Sequence, residues 1–203
     1  LVATILSAQC TDKRVNLVIP AVFKKYPNPQ TLAKAAVQDL EGLIRSTGFF
    51  RNKAKALIES AKNIVSLFSG KVPDHIDQLT QLPGIGRKTA NVLLGNVFHQ
   101  QAIVVDTHVG RLVRRMGFSK SQDPVKIEFE MMKIVPEKLW TQFSHLLIFH
   151  GRARCGARNP DCPHCEVRRF CPKIGILAFI ALFFFQACSM LPEKKETLSF
   201  DKP

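Results

Sequence analysis

Apolar residues recur at intervals of three and four positions along most of the chain, and this spacing constrains the fold more than any other feature. One such stripe consists of Ala54, Leu57, Ile58, Ala61, Ile64, Val65 and Phe68. The spacing places these side chains on one face of a helix, whereas few segments show the alternation of period two that marks a strand. The chain has 203 residues, 46% of them hydrophobic, which is enough to bury a substantial core. The sequence therefore predicts an all-α protein.

A short segment, Leu82-Pro83-Gly84-Ile85-Gly86, separates a helical pattern that includes Ile76 and Leu79 from another that resumes at Ala90. Glycine lets backbone N–H groups approach an anion closely, and a helix that starts directly after the turn directs its positive end to the same place. A plain turn between two helices also uses glycine and proline, and a bare GxG fits that interpretation. The whole string from Leu82 to Ala90 is more specific, and it predicts a phosphate-binding hairpin between two helices.

The charge balance favours a polyanionic partner. Lys and Arg number 29 against 16 Asp and Glu, which gives a formal net charge of +13 and a pI of about 9.8. Nucleic acid is the first candidate for such a chain. A basic enzyme with a solvated cationic surface is the alternative, and charge alone does not separate the two.

Four of the 6 cysteines lie close together in the sequence, as Cys155, Cys162, Cys165 and Cys171. One compact loop brings four such thiolates around a metal centre, so the clustering favours a metal site over disulfide bonds. Thiolate chemistry alone allows either tetrahedral Zn²⁺ or an iron-sulfur cluster. Arginines surround the cysteines, at Arg152, Arg154, Arg168 and Arg169. We expect this loop to present cations to phosphate groups.

The last segment of the chain differs from what precedes it. Ile174 to Leu191 carries no charged residue across 18 positions, and residues 174–203 contain three Lys and three acidic residues, so the basic character lies upstream. A helix of that length would span about 27 Å, close to the thickness of a hydrocarbon core. We expect a fused or read-through reading frame outside the main fold. A membrane anchor is the second interpretation, and a buried helix is the third.

Three motifs follow one another along the chain. They are Leu6-Ser7-Ala8-Gln9-Cys10-Thr11-Asp12, the hairpin string from Leu82 to Ala90, and Val105-Asp106-Thr107-His108. These motifs are similar to those of endonuclease III-like DNA glycosylase/AP lyases, in the helix-hairpin-helix glycosylase superfamily. The resemblance extends from Leu1 to about Lys173.

This resemblance implies a fold with two α-helical lobes. A six-helix barrel lobe would cover residues 1–103, with the helix-hairpin-helix at residues 77–97. An iron-sulfur cluster lobe would cover residues 104–173, and residues 174–203 would lie outside the fold. DNA would pass through the cleft between the two lobes.

The resemblance also implies a bifunctional enzyme of base excision repair. It would remove damaged bases, with oxidised pyrimidines as the expected lesions, and cleave the strand 3′ to the abasic site by β-elimination. Lys88 would be the nucleophile that forms a Schiff base, and Asp106 would assist proton removal and stabilise positive charge on the sugar. The helix macrodipole and the neighbouring Arg87 both favour a free amine at Lys88, which supports this role. A lysine that binds phosphate as a point charge is the alternative.

Other residues receive expected roles from the same motifs. Asp106 and Asp12 are each expected to cap the helix that follows. Gln9 would fill the space left by an extruded nucleotide, and Phe49 would wedge the duplex beside it, although Phe49 fits the protein core equally well. The remaining predicted DNA contacts are Leu82, Gly84, Gly86, Arg87, Thr89 and His108. For His108 alone, a structural histidine is the simpler interpretation.

The spacing of the four cysteines resembles the [4Fe-4S] loop of the family, which favours an iron-sulfur cluster with a structural role over zinc. The expected partner is double-stranded DNA that contains damaged or abasic sites, bound by a monomer without an obligate protein partner. The family implies a cytoplasmic, nucleoid-associated enzyme, and anchoring through residues 174–191 is the less favoured alternative.

Two other functions stay open on the sequence. One is a monofunctional, adenine-specific glycosylase of the same superfamily, which lacks lysine at the hairpin position. The other is a non-catalytic helix-hairpin-helix module that only binds DNA. Lys88 argues against the first, and the pairing of Lys88 with Asp106 and a cysteine loop argues against the second.

Overall fold

A computed structural model of the protein describes residues 1–176, and within this range the chain forms ten α-helices and no β-strand. The helices are α1 (Val2–Leu6), α2 (Asp12–Lys25), α3 (Pro29–Ala33), α4 (Val37–Ile44), α5 (Phe50–Leu67), α6 (Ile76–Leu79), α7 (Arg87–Asn96), α8 (Thr107–Arg115), α9 (Pro124–Ile134) and α10 (Trp140–Ala153). Short 3₁₀ segments, Arg45–Thr47 and Glu137–Leu139, precede α5 and α10. The prediction of an all-α fold is confirmed.

Within residues 1–176, nearly all the buried apolar residues fall into two clusters. The first draws its side chains from Ile5 to Ala102 and includes Leu57 of α5, a helix that packs against α1, α3 and α4. The second runs from Ile103 to Leu147 and is built mainly on α8, α9 and α10. The two packing units therefore meet in the segment that connects α7 to α8.

Polar contacts hold this connecting segment in place. The side-chain amide of Asn91 on α7 donates to the carbonyl oxygen of Ile103 at 2.9 Å. From the other side, the N–H of Val104 donates to the hydroxyl of Ser144 on α10, also at 2.9 Å. Both side chains are buried, where an unpaired polar group is costly. The segment is thus fixed between α7 and α10 just before it reaches Asp106.

Helix starts follow the capping chemistry of the sequence, with one correction. The Asp106 carboxylate accepts a hydrogen bond from the N–H of Val109 at 2.8 Å, so Asp106 caps α8 as predicted. The prediction for Asp12 is wrong, because the hydroxyl of Thr11 accepts from the N–H of Arg14 and Asp12 is the first residue of α2. An acidic residue there still interacts favourably with the helix dipole.

The cysteine segment follows α10 and returns to α8. The N–H of Ile174 donates to the carbonyl oxygen of Arg115 at 3.0 Å, so the chain is still attached to the fold at that point. The three interpretations of Ile174–Leu191 depend mainly on residues from 177 onward, which lie outside the described range. None of the helices formed by residues 1–176 combines the length and apolar character needed to cross a bilayer.

Candidate active site and metal centre

The cleft that holds Lys88 and Asp106 is the first candidate site, and it is called the Lys88 cleft below. It has a volume of about 410 Å³, and its walls include Lys88, Asp106, Arg111, Arg114, Gln122 and Pro124. Pockets for small ligands span roughly 300–1,000 Å³, so the cleft is large enough for part of a nucleotide. Lys88 is exposed and Asp106 is half-buried. The structure therefore brings the two predicted catalytic residues to one accessible cavity.

Residues at the starts of three helices line this cleft. Lys88 is the second residue of α7, Asp106 is the N-cap of α8, and Pro124 is the first residue of α9. Helix N-termini carry partial positive charge, which favours anions. The start of α7 has no side-chain cap, whereas Asp106 and Asp123 already accept N–H groups at the starts of α8 and α9. Arg111 and Arg114 add two guanidinium groups to the walls. The cleft is suited to a phosphate-bearing substrate.

The two oxygens of Asp106 have different surroundings. Oδ1 accepts the capping hydrogen bond from Val109. Within the described residues no protein donor engages Oδ2, so this oxygen stays available to a substrate. One carboxylate can therefore cap α8 and act in the cleft at the same time.

Arg87 has a protein partner that its position in the sequence does not indicate. Its guanidinium donates two hydrogen bonds to the carboxylate of Glu128 on α9, at 2.9 and 2.7 Å, and lies over the ring of Phe129. Glu128 is almost completely buried, and the hydrogen bonds to it raise the pKa of Arg87. The charge of Arg87 is thus largely compensated, which weakens its expected repulsion of Lys88. Its predicted contact with DNA stays a prediction.

Gln9 and Phe49 lie together at a second depression, called the Gln9 depression below. Its lining includes Gln9, Phe49, Asn52, Lys53 and Gly84, and its volume is about 260 Å³. Gln9 is exposed, and Phe49 is 64% exposed, so the interpretation of Phe49 as a core residue is wrong. Both residues have positive φ, 52° and 47°, which non-glycine residues rarely adopt. Such strain is typical of functional positions.

The other hairpin residues differ in exposure. Leu82 is buried in the first core, its N–H donates to the carbonyl oxygen of Leu79, and its own carbonyl oxygen accepts from the N–H of Ile85, so its contact with DNA stays a prediction. Gly84 has φ of +80°, and both Gly84 and Gly86 are exposed. The carbonyl oxygen of Pro83 accepts a hydrogen bond from the buried hydroxyl of Ser60 at 2.6 Å, which fixes the hairpin on α5. Thr89 is half-buried within the first turn of α7.

His108 is part of a structural network. Its Nδ1 lies 3.1 Å from a guanidinium nitrogen of Arg111, and the same nitrogen donates to the carbonyl oxygens of Gly151 and Cys155. Arg111 therefore connects the wall of the Lys88 cleft with the start of the cysteine segment. These contacts agree with the simpler interpretation of His108 as a structural histidine.

The four clustered cysteines line a single cavity. Cys155, Cys162, Cys165 and Cys171 surround it together with Arg115 and His150, and none of the four forms a disulfide. Burial and then the nearby cysteine thiolates raise the pKa of Cys162. A metal centre would supply the positive charge that four adjacent thiolates require. The donor set therefore fits a metal site, as the sequence predicts.

Arg115 and His150 bind the cysteine segment from the side of the helices. The guanidinium of Arg115 lies 3.2 Å from the sulfur of Cys155 and donates to the carbonyl oxygens of Gly156 and Ala157, each at 2.7 Å. Nε2 of His150 lies 3.5 Å from the sulfur of Cys165. Such contacts orient ligands and tune a metal site.

Sequence reasoning missed Lys53, Arg111, Arg115 and Glu128. Lys53 and Glu128 are charged residues within apolar helical stripes, and that anomaly is the signal that could have found them. Arg111 and Arg115 lie one turn apart on α8, ahead of a cysteine segment, but their partners are about 40 residues away in the chain.

Comparisons with known proteins agree with these features. Residues 2–137 match the family model described as HhH-GPD superfamily base excision DNA repair protein. Endonuclease III of Synechocystis sp. is 51% identical over 173 residues, which cover 85% of this chain and 79% of that protein. Endonuclease III of Bacillus subtilis is 42% identical over 171 residues, covering 84% and 78%.

Solved structures show the same similarity. A non-covalent endonuclease III-DNA complex matches with a TM-score of 0.79 at 41% identity, covering 85% of this chain and 81% of that one. A trapped endonuclease III-DNA covalent intermediate gives the same values.

A helical fold with a glycine hairpin and an accessible cleft lined by cationic side chains is typical of enzymes that act on nucleic acid. The chain belongs to the HhH-GPD superfamily of base excision DNA repair proteins. Within this superfamily it is similar to endonuclease III in both sequence and fold. The family and the helix-hairpin-helix glycosylase fold predicted from the sequence are therefore confirmed.

Proposed function

We propose that the protein is a bifunctional DNA glycosylase/AP lyase of base excision repair, acting on double-stranded DNA that contains damaged or abasic sites. The observation that carries this proposal is that Lys88 and Asp106 line one cleft whose walls include residues from the starts of α7, α8 and α9. Similarity to endonuclease III, including a trapped covalent complex of that enzyme with DNA, supports the same function. Oxidised pyrimidines are the proposed lesions.

The reaction begins when the damaged nucleotide leaves the duplex, because C1′ of a stacked nucleotide is inaccessible. The free amine of Lys88 attacks C1′, the bond to the base breaks, and the base departs with the electron pair and takes up a proton. Asp106 stabilises the positive charge that develops on the sugar and accepts a proton from the lysine nitrogen. Ring opening then leaves an imine between Lys88 and C1′.

The second step breaks the strand. The protonated imine acidifies the C2′–H bond, so a base removes that proton and the electron pair moves toward C3′. The bond from C3′ to its phosphate oxygen breaks, and the 3′-phosphate leaves. Water hydrolyses the imine and releases Lys88. One lysine therefore serves both the glycosylase and the lyase step.

The alternatives account less well for these residues. A monofunctional, adenine-specific glycosylase has no use for an exposed lysine at position 88 of the cleft. A non-catalytic DNA-binding module requires neither an Asp106 oxygen open to the cleft nor four convergent thiols.

We propose further that the four cysteines hold a [4Fe-4S] cluster with a structural role, with zinc as the weaker alternative. Cys155, Cys162, Cys165 and Cys171 would be its ligands, and the cluster would set the shape of the loop that carries Arg168 and Arg169. Of the other two arginines near the cysteines, Arg152 belongs to α10, and Arg154 is paired with Asp161 and Glu166. The test is metal analysis of purified protein. A brown protein with iron and acid-labile sulfide supports the cluster, and a colourless protein with stoichiometric zinc refutes it.

We also propose that residues 1–103 and 104–173 are the two lobes of the enzyme, with DNA bound between them by a monomer. The two hydrophobic clusters divide between Ala102 and Ile103, one residue from the proposed boundary, and this supports the division. The predicted contacts Gln9, Phe49, Gly84, Gly86, Arg87 and Thr89 would face DNA from the first lobe.

The central experiment compares the wild type with Lys88→Gln on a duplex that contains one abasic site. We expect the wild type to nick this DNA and to be trapped on it by borohydride, and Lys88→Gln to do neither while it still binds the duplex. Lys71→Gln, at an exposed lysine between α5 and α6, is the matched control and should behave as the wild type. Equal nicking by wild type and Lys88→Gln would remove Lys88 from its role.

A further inference from the structure

Lys53 is a buried cation that lines the Gln9 depression. It lies on α5 and is only 5% exposed. Its ammonium group donates two hydrogen bonds, to the carbonyl oxygens of Leu6 and Thr47, each at 2.9 Å. The two carbonyls belong to segments that are far apart in the chain. Lys53 therefore connects the end of α1 with the turn before α5.

Stability alone does not account for a lysine at this position. Within residues 1–176 Lys53 forms no ion pair with a carboxylate, and burial lowers its pKa. Burying a charge is costly, and an apolar residue of similar volume is often at least as stabilising. The retained ammonium group instead provides geometry, because two donors fix the spacing between two backbone segments.

Each of these segments leads directly to an exposed residue with positive φ. Leu6 is followed three residues later by Gln9, with φ of 52°. Thr47 is followed by Gly48 and then by Phe49, with φ of 47°. The hydrogen bonds of Lys53 therefore lie close to the points where both side chains leave the protein surface. Gln9 and Phe49 line the same depression as Lys53.

We propose that Lys53 is a positioning residue. Its two hydrogen bonds act as a clamp that holds the backbone of residues 6–9 and of residues 47–49 at a fixed spacing, so that the side chains of Gln9 and Phe49 enter the duplex together. This inference rests on the proposed function, since it assigns Gln9 and Phe49 to the space left by an extruded nucleotide. Lys53 itself touches no DNA and no reacting atom. It acts only through the two backbone segments.

The test replaces Lys53 with Met, which keeps the volume and removes the donors, and with Arg, which keeps a cation but shifts the spacing. Lys62→Met, at an exposed lysine of the same helix, is the control. We expect Lys53→Met to lower nicking of abasic duplex about 10- to 100-fold, since small misplacements of positioning groups have effects of that size. Lys53→Arg should show a smaller loss, and Lys62→Met should show none.

A second readout separates positioning from general structural damage. With 2-aminopurine opposite the abasic site, wild type should increase fluorescence on binding as the base is unstacked, and folded Lys53→Met should give a smaller increase. In the Gln9→Ala/Phe49→Ala double variant the two side chains that the clamp positions are absent. The triple variant with Lys53→Met should therefore give nearly the same fluorescence increase as the double variant.

Each outcome decides the matter. An unchanged fluorescence increase in folded Lys53→Met, or a full additional loss in the Gln9→Ala/Phe49→Ala background, overturns the clamp. If Lys53→Met does not fold, Lys53→Arg carries the same comparison, and failure of both to fold assigns Lys53 a purely structural role. A wild type that does not nick abasic DNA would instead refute the proposed function.

Discussion

The guanidinium of Arg87 and the buried carboxylate of Glu128 form a two-point ion pair that joins the start of α7 to α9. Arg87 directly precedes Lys88, while α9 begins at Pro124 in the wall of the Lys88 cleft. Arg87 belongs to the hairpin, and Glu128 lies between residues of the second hydrophobic cluster. The pair therefore fixes how the lysine-bearing helix faces the opposite wall of the cleft.

Glu128→Gln should destabilise the protein. The substitution keeps the size of the side chain but removes the charge that compensates Arg87, and Glu128 is only 4% exposed. We expect the free energy of unfolding to fall by about 2 kcal/mol, less than for a fully buried pair because Arg87 reaches solvent. Urea denaturation of the two proteins measures this difference.

The control for this prediction is Asp39→Asn, which removes the acid of an exposed ion pair. Lys25 and Asp39 lie 2.7 Å apart, but both side chains are about half exposed, and such pairs contribute little. We expect little change in the urea midpoint of this variant. Equal losses in Asp39→Asn and Glu128→Gln would contradict the importance of burial for the Arg87 pair.

Local patterns predicted the fold well, because helix periodicity and capping depend on residues close together in the sequence. The motifs also placed Lys88 and Asp106 at neighbouring helix starts, and these residues do share a cleft. The partners of Lys53 and Glu128 could not be predicted in this way. Each of these side chains pairs with a residue more than 40 positions away in the sequence, and only the packing of the helices brings the partners together. Phe49 was ambiguous because an aromatic residue fits a core and a wedge equally well in sequence.

The two glycines of the hairpin should respond differently to alanine. Gly84 has φ of +80°, and a Cβ atom there would lie 2.9 Å from the Cβ of Ala56. Gly86 has φ of −88°, and a Cβ atom would meet nothing within 4 Å. Gly84→Ala should therefore cost about 2 kcal/mol or more of stability, whereas Gly86→Ala should be tolerated by the fold.

DNA affinity tests whether Gly86 also has a role in phosphate binding, apart from its role in the fold. If its backbone N–H approaches a phosphate closely, Gly86→Ala should weaken binding of abasic duplex although its thermal unfolding is unchanged. Fluorescence anisotropy at one fixed salt concentration measures the affinity. Unchanged affinity in Gly86→Ala would show that phosphate does not approach this side of the hairpin.

The two roles of Asp106 can be separated by comparing Asn with Ala. Asn is as good an N-cap as Asp, so Asp106→Asn should retain the stability of the wild type, whereas Asp106→Ala should lose about 1 kcal/mol. Base excision requires the carboxylate in the cleft, so both variants should lose about 10²- to 10⁴-fold in the single-turnover rate. Asp106→Asn with full excision activity would limit Asp106 to its capping role.

Arg115→Ala should weaken the retention of metal by the cysteine loop. The guanidinium contacts the sulfur of Cys155 and the carbonyl oxygens of Gly156 and Ala157, so its removal frees the first part of the loop. Loss of such a contact typically lowers metal affinity about 10- to 100-fold. Iron and sulfide content after gel filtration with a chelator should fall relative to the wild type, with visible absorption falling in parallel.

Arg114→Ala is the matched control, because Arg114 lines the Lys88 cleft instead of the cysteine cavity, and its metal content should match the wild type. Full metal retention by Arg115→Ala would show that the four thiolates hold the centre without help from α8.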